Sequence, residues 1–353
     1  MTIFFAILLF SFLIFIHELG HFVAAKMSGV QVNEFAMFMG PAIFKWKRGE
    51  TQYSIRCIPI GGYCAMEGED EESDNPRAFS SAKWWKRLII LVAGAAMNFI
   101  AGFLIFAIIY LPGNTVVAPV ITKFEDCCIF NQEGGLQLGD ELLEIDGEKI
   151  YVVSDVRLIL SLNQTPNHDI TVLRDGEKLE FKNLPMMHTC KDEAGNAVQH
   201  YGFAFAKERT VGFFGKLDYV WKNTIDTVRI VRISLQMLFR GQASLNDMTG
   251  PVGIVKGMSD TAEQSENAQL AILNTLYFGG FIAINLAVMN LLPFPALDGG
   301  RVVALLLTVF IEKITRKKLN PKYEAYVHGA GMILLLALMA FVFLKDIVML
   351  FKG

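Results

Sequence analysis

Residues 14–24 read IFIHELGHFVA and place two histidines and one glutamate inside one of the most apolar stretches of the chain. From Thr2 to Phe15, only Thr2 and Ser11 carry a polar side chain. A helix needs about 20 mainly apolar residues to cross a bilayer, so this stretch predicts a membrane-spanning helix. Ionisable groups inside such a helix are costly and by default mark a functional site. The stretch therefore predicts a membrane protein that carries its chemistry within the bilayer.

The composition supports a membrane setting for the whole chain. Of its 353 residues, 53% are hydrophobic, and the mean hydropathy of +0.39 is too apolar for an ordinary soluble domain. Long apolar runs predict four transmembrane helices, at 1–27, 88–111, 268–311 and 326–351. The first run lacks a basic leading region and a small-residue cleavage site. We therefore expect it to be retained rather than removed as a signal peptide.

Basic residues in the short loops predict the orientation of these helices. The connections at 28–87 and 301–326 are rich in lysine and arginine, which the positive-inside rule assigns to the cytoplasmic side. Both termini and the long region 112–267 are then expected outside. A formal net charge of −3, without a basic stripe of interleaved aromatics, gives no indication of a nucleic-acid partner.

The connection at 28–87 contains two strand-like segments. They read VQVNEFAMFM at 30–39 and TQYSIRCIPI at 51–60, with turn residues between them. We expect a membrane-associated region of short β-hairpins that dip into the cytoplasmic side of the bilayer. An unpaired strand edge there can accept an extended peptide, which is the β-addition mode of recognition.

Outside the membrane, residues 115–206 form a separate compositional block. Asp-Gly pairs at 146–147 and 175–176 lie between apolar alternations, which is a strong hairpin signal. Between them, 154–162 has helical spacing with Ser154 as the expected N-cap. The block is similar to a PDZ domain of the circularly permuted bacterial kind, and another small α+β domain is the alternative. The block contains three cysteines, Cys127, Cys128 and Cys190. A disulfide bond between Cys190 and one of the other two is one alternative, and three free cysteines are the other.

Residues 207–267 are expected to form an amphipathic helix and a linker. Over 216–239, one helical face is apolar and includes Trp221, whereas Arg229 and Arg232 lie off that face. The pattern predicts a helix on the outer membrane surface or against the helical bundle.

The two histidines of the first span have the spacing of a metal site. On a helix, His17 and His21 lie one turn apart on one face with Glu18 beside them, which is the H-E-x-x-H zinc pattern. Both imidazoles can reach one ion, and the glutamate can reach a water bound to it. Buried histidines satisfied by core hydrogen bonds are the alternative, which the membrane location disfavours.

A third ligand is expected at the same depth, because a catalytic zinc usually has three protein ligands and one open position. The third span ends in NLLPFPALDGGR at 290–301. Spans one and three run in the same direction, so Asp298 is expected level with His17 and His21. The alternative role of Asp298 is that of a helix cap or turn residue.

H-E-x-x-H in the first span, together with N-x-x-P-x-P-x-L-D-G in a later one, resembles the site-2 protease family of intramembrane zinc metalloproteases. The bacterial RseP/RasP-like branch with a single PDZ domain is the part of the family that the chain is most similar to. The resemblance covers nearly the whole chain. It implies one zinc ion per chain, bound by His17, His21 and Asp298, and it implies that Glu18 is the general base.

The resemblance also implies contacts to the substrate or the transition state. Asn290 is implied as a polar group near the scissile carbonyl. GAAMNF at 94–99 is similar to a family signature and points to Asn98, although alanine stands where the family has proline. IPIGGY is similar to a glycine-bearing family loop and points to Gly61 and Gly62. The alternatives are interhelical hydrogen bonds for the asparagines and a plain turn for the glycines.

The function that the resemblance implies is hydrolysis of a peptide bond within or near a transmembrane segment of a single-pass membrane protein. The expected substrates are an anti-sigma factor already cut by a site-1 protease, or signal-peptide remnants, met within the lipid bilayer. The expected location is the bacterial inner (plasma) membrane, with the active site near the cytoplasmic side and the PDZ domain outside. Two alternatives are a metal transporter, which has no need of Glu18, and a non-catalytic PDZ scaffold, which would be expected to lose a motif member.

Overall fold

A computed structural model of the chain describes residues 2–69, 73–125, 135–162, 165–191, 197–241, 250–263, 265, 267–316 and 322–352. It divides into two units, one formed by Met1–Ile105 with Thr227–Gly353 and the other by Phe106–Asp226. The helices are α1 (Thr2–Ser28), α2 (Trp84–Tyr110), α3 (Val153–Leu162), α4 (Phe213–Phe239), α5 (Pro251–Glu263), α6 (Ala268–Asn290), α7 (Asp298–Thr315) and α8 (Lys322–Lys352). The strands are β1 (Val32–Arg48), β2 (Thr51–Met66), β3 (Thr115–Phe124), β4 (Glu141–Ile145), β5 (Glu148–Lys149), β6 (Asn167–Arg174), β7 (Glu177–Pro185), β8 (His188–Lys191), β9 (Ala197–His200) and β10 (Phe203–Thr210).

Four of these helices are long and apolar enough to cross a membrane, which confirms the predicted number of spans. They cover Phe5–Ser28 in α1, Trp84–Tyr110 in α2, Ala268–Asn290 in α6 and Tyr326–Asp346 in α8. No more than 33% of any span is buried within the protein, and each span has large apolar side chains that are exposed. Apolar surface of this extent is typical of helices that lie against lipid.

The region predicted as the third span, 268–311, consists of two helices separated by a break. Helix α6 ends at Asn290, and α7 begins only at Asp298. Pro293 and Pro295 lie between them, and proline has no N–H to donate, so the α-helix cannot continue through this segment. Asp298 therefore stands in the first turn of a new helix, where free N–H groups favour a carboxylate.

The hairpin predicted within 28–87 is formed by β1 and β2, which pair antiparallel with several register shifts. Phe38 and Gly40 adopt left-handed backbone angles, with φ of +71° and +84°. The base of the hairpin shares a core with α1, α2 and α7. The buried residues of this core are Ala24, Ala25, Val30, Val32, Phe35, Cys64, Met66, Phe79, Ile90, Leu91 and Leu305. The hairpin is thereby packed onto the helices that carry the candidate site.

A polar cluster fastens the two strands where their register is irregular. Ser54 Oγ and Arg56 Nη2 donate to Glu34 Oε1 at 2.6 and 2.8 Å, and Arg56 Nη1 donates to the Gly40 carbonyl at 2.7 Å. Burial acts to raise the pKa of Glu34, but hydrogen bonds from Ser54, Arg56 and Tyr63 outweigh it and lower the pKa to about 2. Glu34 is therefore charged at neutral pH and ties β1 to β2.

The second unit is built on a sheet with the strand order β10-β3-β4-β6-β7, to which β5 adds beside β4. Strands β8 and β9 form a separate pair. Asp146 and Asp175 each have a φ of +51° and precede glycines that also have positive φ, which confirms both predicted Asp-Gly turns. Residues of the sheet and α3 form one core, together with residues of the connecting loops. Its buried members are Ile121, Leu136, Leu142, Ile145, Ile150, Val156, Ile159, Leu160, Ile170, Val172, Met186 and Phe203.

The start of α3 differs from the prediction, and two of the cysteines lie outside the residues that the structure describes. Helix α3 begins at Val153, so Ser154 is not its N-cap. The Asp155 carboxylate instead accepts from the backbone N–H of Val152 at 3.0 Å and organises the turn into the helix. Cys127 and Cys128 lie outside the described residues.

The region predicted as an amphipathic helix and a linker contains two helices. The linker prediction is wrong for Pro251–Glu263, which forms α5. On α4, Trp221 of the predicted apolar face is 49% exposed, whereas Thr224 is fully buried and Arg229, predicted off that face, is 7% exposed. Polar side chains of α4 are thus packed inside the protein, and Trp221 lies on its surface.

Candidate metal centre and active site

Helix α1 brings the ionisable side chains of the first span together. His17 and His21 lie one helical turn apart, and their Nε2 atoms are 3.2 Å from each other. Glu18 follows His17 on the adjacent side of the helix and is half-buried. The predicted placement of the H-E-x-x-H motif on one helix is confirmed.

Asp298 reaches the same point from the start of α7. Its Oδ2 lies 3.1 Å from His17 Nε2 and 3.3 Å from His21 Nε2. The expectation that parallel spans bring Asp298 level with the two histidines is therefore confirmed. The non-helical segment after α6 is compatible with this close approach, because α7 begins at Asp298 itself.

Two glycines that follow Asp298 let the preceding loop fold back over the start of α7. A Cβ atom at Gly299 would lie 2.3 Å from the carbonyl oxygens of Leu291 and Leu292. A Cβ atom at Gly300 would lie 2.2 Å from the Phe294 carbonyl oxygen. Any larger residue at either position would push the loop away and move Asp298 with it.

The three donor atoms form a nearly equilateral triangle with sides of 3.1, 3.2 and 3.3 Å. Tetrahedral zinc with bonds of about 2.0–2.1 Å separates its ligand atoms by about 3.3 Å. The donors therefore fit one face of a tetrahedron and leave a fourth position open. Among the residues that the structure describes, this is the one group of at least three His, Cys, Asp or Glu side chains arranged to hold a metal ion.

The backbone of α2 fixes the ring of His21. Its Nδ1 lies 2.8 Å from the Ile90 carbonyl oxygen, which can only accept a hydrogen bond. Nδ1 therefore carries hydrogen, and Nε2 of the neutral ring directs a lone pair at the centre of the triangle. In metal sites, a histidine ligand usually donates the N–H of its other ring nitrogen to an acceptor such as a backbone carbonyl oxygen.

Gly94 of α2 makes room for both histidines, and sequence reasoning did not single it out. A Cβ atom there would lie 2.3 Å from His21 Nε2 and 2.7 Å from His17 Cε1. Gly20 plays the matching part on α1, where a Cβ atom would lie 2.4 Å from the Ala93 carbonyl oxygen. The available signal for Gly94 was its position one helical turn before Asn98 in GAAMNF.

Asn98 and Asn290 both approach the outer nitrogen of His17. The amide nitrogen of each lies 3.4 Å from His17 Nδ1. Asn98 is 1% exposed, and its Oδ1 has no hydrogen-bond partner among the described residues. Asn290 is half-buried at the end of α6. Both predicted asparagines thus lie next to the candidate metal-binding group and contact His17 within it.

Glu18 faces the β-hairpin. A Cβ atom at Gly62 would lie 3.4 Å from Glu18 Cγ, and the Cys64 backbone hydrogen-bonds the Glu18 carboxylate. The backbone of β2 therefore runs beside Glu18 at Gly62. Gly61 has a φ of +78°, and its nearest surroundings are the side chain of Met39. The structure brings Gly62 to the site and places Gly61 one residue further away.

Comparison with known proteins gives a consistent result over nearly the entire chain. The sequence pattern of peptidase family M50 matches residues 5–338. The chain is 36% identical over 349 residues to a Clostridium perfringens protein named "Putative zinc metalloprotease", with 99% of each chain covered. It is 29% identical over 430 residues to the regulator of sigma-W protease RasP of Bacillus subtilis, and 30% identical over 429 residues to the zinc metalloprotease RasP of Bacillus licheniformis. In both pairs, 98% of each chain is covered.

Proposed function

The chain belongs to peptidase family M50 and is an intramembrane zinc metalloprotease, and from this premise we propose that His17, His21 and Asp298 bind its zinc ion. The observation that carries the proposal is the triangle of three donor atoms with sides close to the ligand spacing of tetrahedral zinc. One zinc per chain follows, since the described residues contain one such group.

Glu18 is the proposed general base. When bound, zinc polarises the peptide carbonyl and acidifies a coordinated water. Glu18 lies beside His17 on α1 and faces β2 at Gly62, so its carboxylate adjoins the proposed metal ligands. Its carboxylate takes the proton from the water and delivers it to the departing amine.

The hairpin is the proposed platform for the substrate. A helical segment hydrogen-bonds its own carbonyls, so it must unwind before attack, and an extended strand must then be held at the site. Gly62 offers backbone without a side chain next to Glu18. Residues 34–37 of β1 pair with both 52–55 and 62–65 of β2, and among the described residues no further strand joins this sheet, so the segment at 62–65 forms one of its edges. A substrate segment that adds to such an edge is positioned by main-chain hydrogen bonds. Gly61 supports the backbone turn that precedes this contact.

The proposed substrates are single-pass membrane proteins, and an anti-sigma factor already cut by a site-1 protease is the main candidate. The name of the Bacillus subtilis relative, regulator of sigma-W protease, supports this class. Signal-peptide remnants are a second class with the same chemistry, an apolar helix that lacks a large outer domain. The proposed location is the bacterial inner membrane. The basic loops at 28–87 and 301–326 support an active site near the cytoplasmic side.

We assign residues 115–206 as a PDZ-like domain outside the membrane. The support is its sheet with β10 at one edge and the adjacent helix α3. A groove of about 510 Å³ lies between them. Its lining includes Arg157 and Leu160 of α3 and Phe203 and Phe205 of β10. An apolar groove beside an edge strand is suited to an extended peptide.

The experiment that tests the site compares purified wild type with two purified variants. Wild type should hold about one zinc per chain and cut a single-pass substrate in liposomes. Asp298→Ala should lose both zinc and activity. Glu18→Gln keeps the size and loses the base, so zinc should stay while turnover falls at least about 10²–10⁴-fold.

The matched control is Glu148→Gln, a carboxylate in the second unit that the site does not use. Full zinc content in Asp298→Ala would remove Asp298 from the ligand set. Activity of Glu18→Gln close to that of wild type would assign the base to another residue.

A further inference from the structure

The loop before Asp298 is held by a side chain from the fourth span. Within the PFPALD segment, the backbone N–H of Ala296 donates to His328 Nδ1 of α8 at 3.1 Å. Ala296 has a φ of +85°, a left-handed angle that alanine rarely adopts and that persists only where its surroundings enforce it. His328 therefore contacts the loop at its most strained residue, two positions before the proposed ligand.

Helix α8 touches the same loop at a second point. Gly331 lies one turn after His328, and a Cβ atom there would lie 2.3 Å from Pro295 Cβ and 2.6 Å from the Pro295 carbonyl oxygen. Only glycine allows this approach. Pro295 and Ala296, two adjacent loop residues, are thus fixed by two residues on one face of α8.

A charged pair completes the surroundings of His328. Arg301 Nε of α7 lies 3.4 Å from His328 Nε2, and the Arg301 guanidinium forms an ion pair with Glu69, which follows β2. A neutral imidazole accepts at one nitrogen only. The contact from Ala296 N–H to Nδ1, at 3.1 Å, is the shorter of the two, so we assign Nδ1 as the acceptor nitrogen, and the charge of Arg301 is balanced by Glu69.

We propose that His328 is a positioning residue for Asp298, so that the fourth span determines the geometry of the third metal ligand through Ala296 and Pro295. The inference rests on the proposed role of Asp298 as a ligand and extends it to α8. Side chains that orient a metal ligand typically change metal affinity by 10–100-fold when they are removed. Here the influence passes through two residues of backbone rather than a hydrogen bond to the ligand itself.

The test measures zinc affinity of the purified full chain in detergent, by competition with a chromogenic chelator. His328→Ala removes the acceptor and should weaken zinc binding by about 10–100-fold. His328→Asn should restore most of the affinity, because its Oδ1 can take the place of Nδ1. Gly329→Ala is the control, since a Cβ atom there meets nothing within 4 Å on the same helix. Cobalt-substituted protein adds a second readout, because the visible spectrum reports ligand geometry independently of turnover.

The outcomes separate the two proposals. If Asp298→Ala binds zinc like wild type, the ligand assignment fails whatever His328 does. If Asp298→Ala loses zinc while His328→Ala keeps both wild-type affinity and the cobalt spectrum, the positioning role of His328 is overturned and the ligand assignment stands. Should His328→Ala not fold, Gly331→Ala decides, because its Cβ must displace Pro295. Wild-type zinc affinity in Gly331→Ala would overturn the proposal.

Discussion

At the scale of single residues, His17 presents one ring nitrogen to two asparagines. A metal-bound His17 carries its hydrogen on Nδ1 and donates there, so the amide that faces it must present oxygen. A rotation of the Asn98 amide about its last bond achieves this and uses an Oδ1 that is otherwise unpartnered among the described residues. One N–H serves one acceptor well. The buried Asn98 is the better partner, which leaves the half-buried Asn290 for the substrate.

The different roles of Asn98, as partner of His17, and of Asn290, as partner of the substrate, predict different results for their alanine variants. Asn98→Ala should weaken zinc binding by about 10–100-fold, because His17 loses the group that orients it. Asn290→Ala should leave zinc affinity close to that of wild type and lower turnover by about 100-fold or more, as expected for a lost donor at the scissile carbonyl. Chelator competition gives the first quantity, and cleavage at saturating zinc gives the second. Equal zinc affinities in the two variants would contradict these separate roles of Asn98 and Asn290.

The sequence predicted the residues that belong to a motif of recognisable spacing. It missed residues that matter because of their close contacts with the site in three dimensions. H-E-x-x-H defines its own geometry on a helix, and the parallel course of two spans placed Asp298 beside it. Gly94 and His328 carry no such pattern. Their importance depends on how closely α2 and α8 approach the site, which a sequence without coordinates does not contain.

At the scale of elements, α5 is anchored by a carboxylate from the fourth span. Asp346 is 6% exposed, and its Oδ2 accepts from the backbone N–H of Gly253, in the first turn of α5, at 3.0 Å. A Cβ atom at Gly250 would lie 2.6 Å from the same oxygen, so glycine is required for the approach. A negative charge at a helix N-terminus is stabilised by free N–H groups and the helix dipole. The charge in this apolar span is explained by a structural role.

Removal of this anchor should loosen α5. Asp346→Ala should reduce the local stability of α5 by about 1–2 kcal/mol, the usual effect of losing a charged cap. Asp346→Asn keeps an acceptor and loses the charge, so its effect should be smaller. Hydrogen exchange of the α5 amides, compared with those of α2 as an internal reference, measures the change. Unchanged α5 exchange in Asp346→Ala would show that packing against α1 and α6 alone holds the helix.

Element boundaries were predicted well where apolar length decides them and poorly where proline or tertiary contacts do. The four spans follow from hydropathy. The break before Asp298 follows from Pro293 and Pro295 in the sequence, whereas the separate helix that begins at Asp298 was included in the third span, 268–311. Residues 207–267 were predicted as an amphipathic helix and a linker, and α5 within this region was not predicted. Its side chains gain stability from a core with α1 and α6, which includes Leu13, Met258 and Ile282.

At the scale of the whole molecule, the chain combines a membrane unit that holds the proposed chemistry with a compact second unit, Phe106–Asp226, which interrupts the first unit in the sequence. The described metal-binding group lies entirely in the first unit. Among the described residues, the second unit therefore supplies no member of this group. An intramembrane protease must still avoid cutting every helix that it meets, and we propose control of substrate entry as the role of the second unit.

Deletion of 115–206, with 207–267 kept, tests this role. If the domain excludes substrates by size, the deletion should permit cleavage of a single-pass substrate that still has its folded outer domain, and cleavage of the trimmed form should stay largely intact. The quantity to measure is the ratio of the two initial rates in liposomes, for wild type and for the deletion. Zinc content serves as the control for folding of the membrane unit. A fall of both rates by the same factor would identify the domain as a recruitment module, and the groove beside β10 would then be the place where the substrate docks.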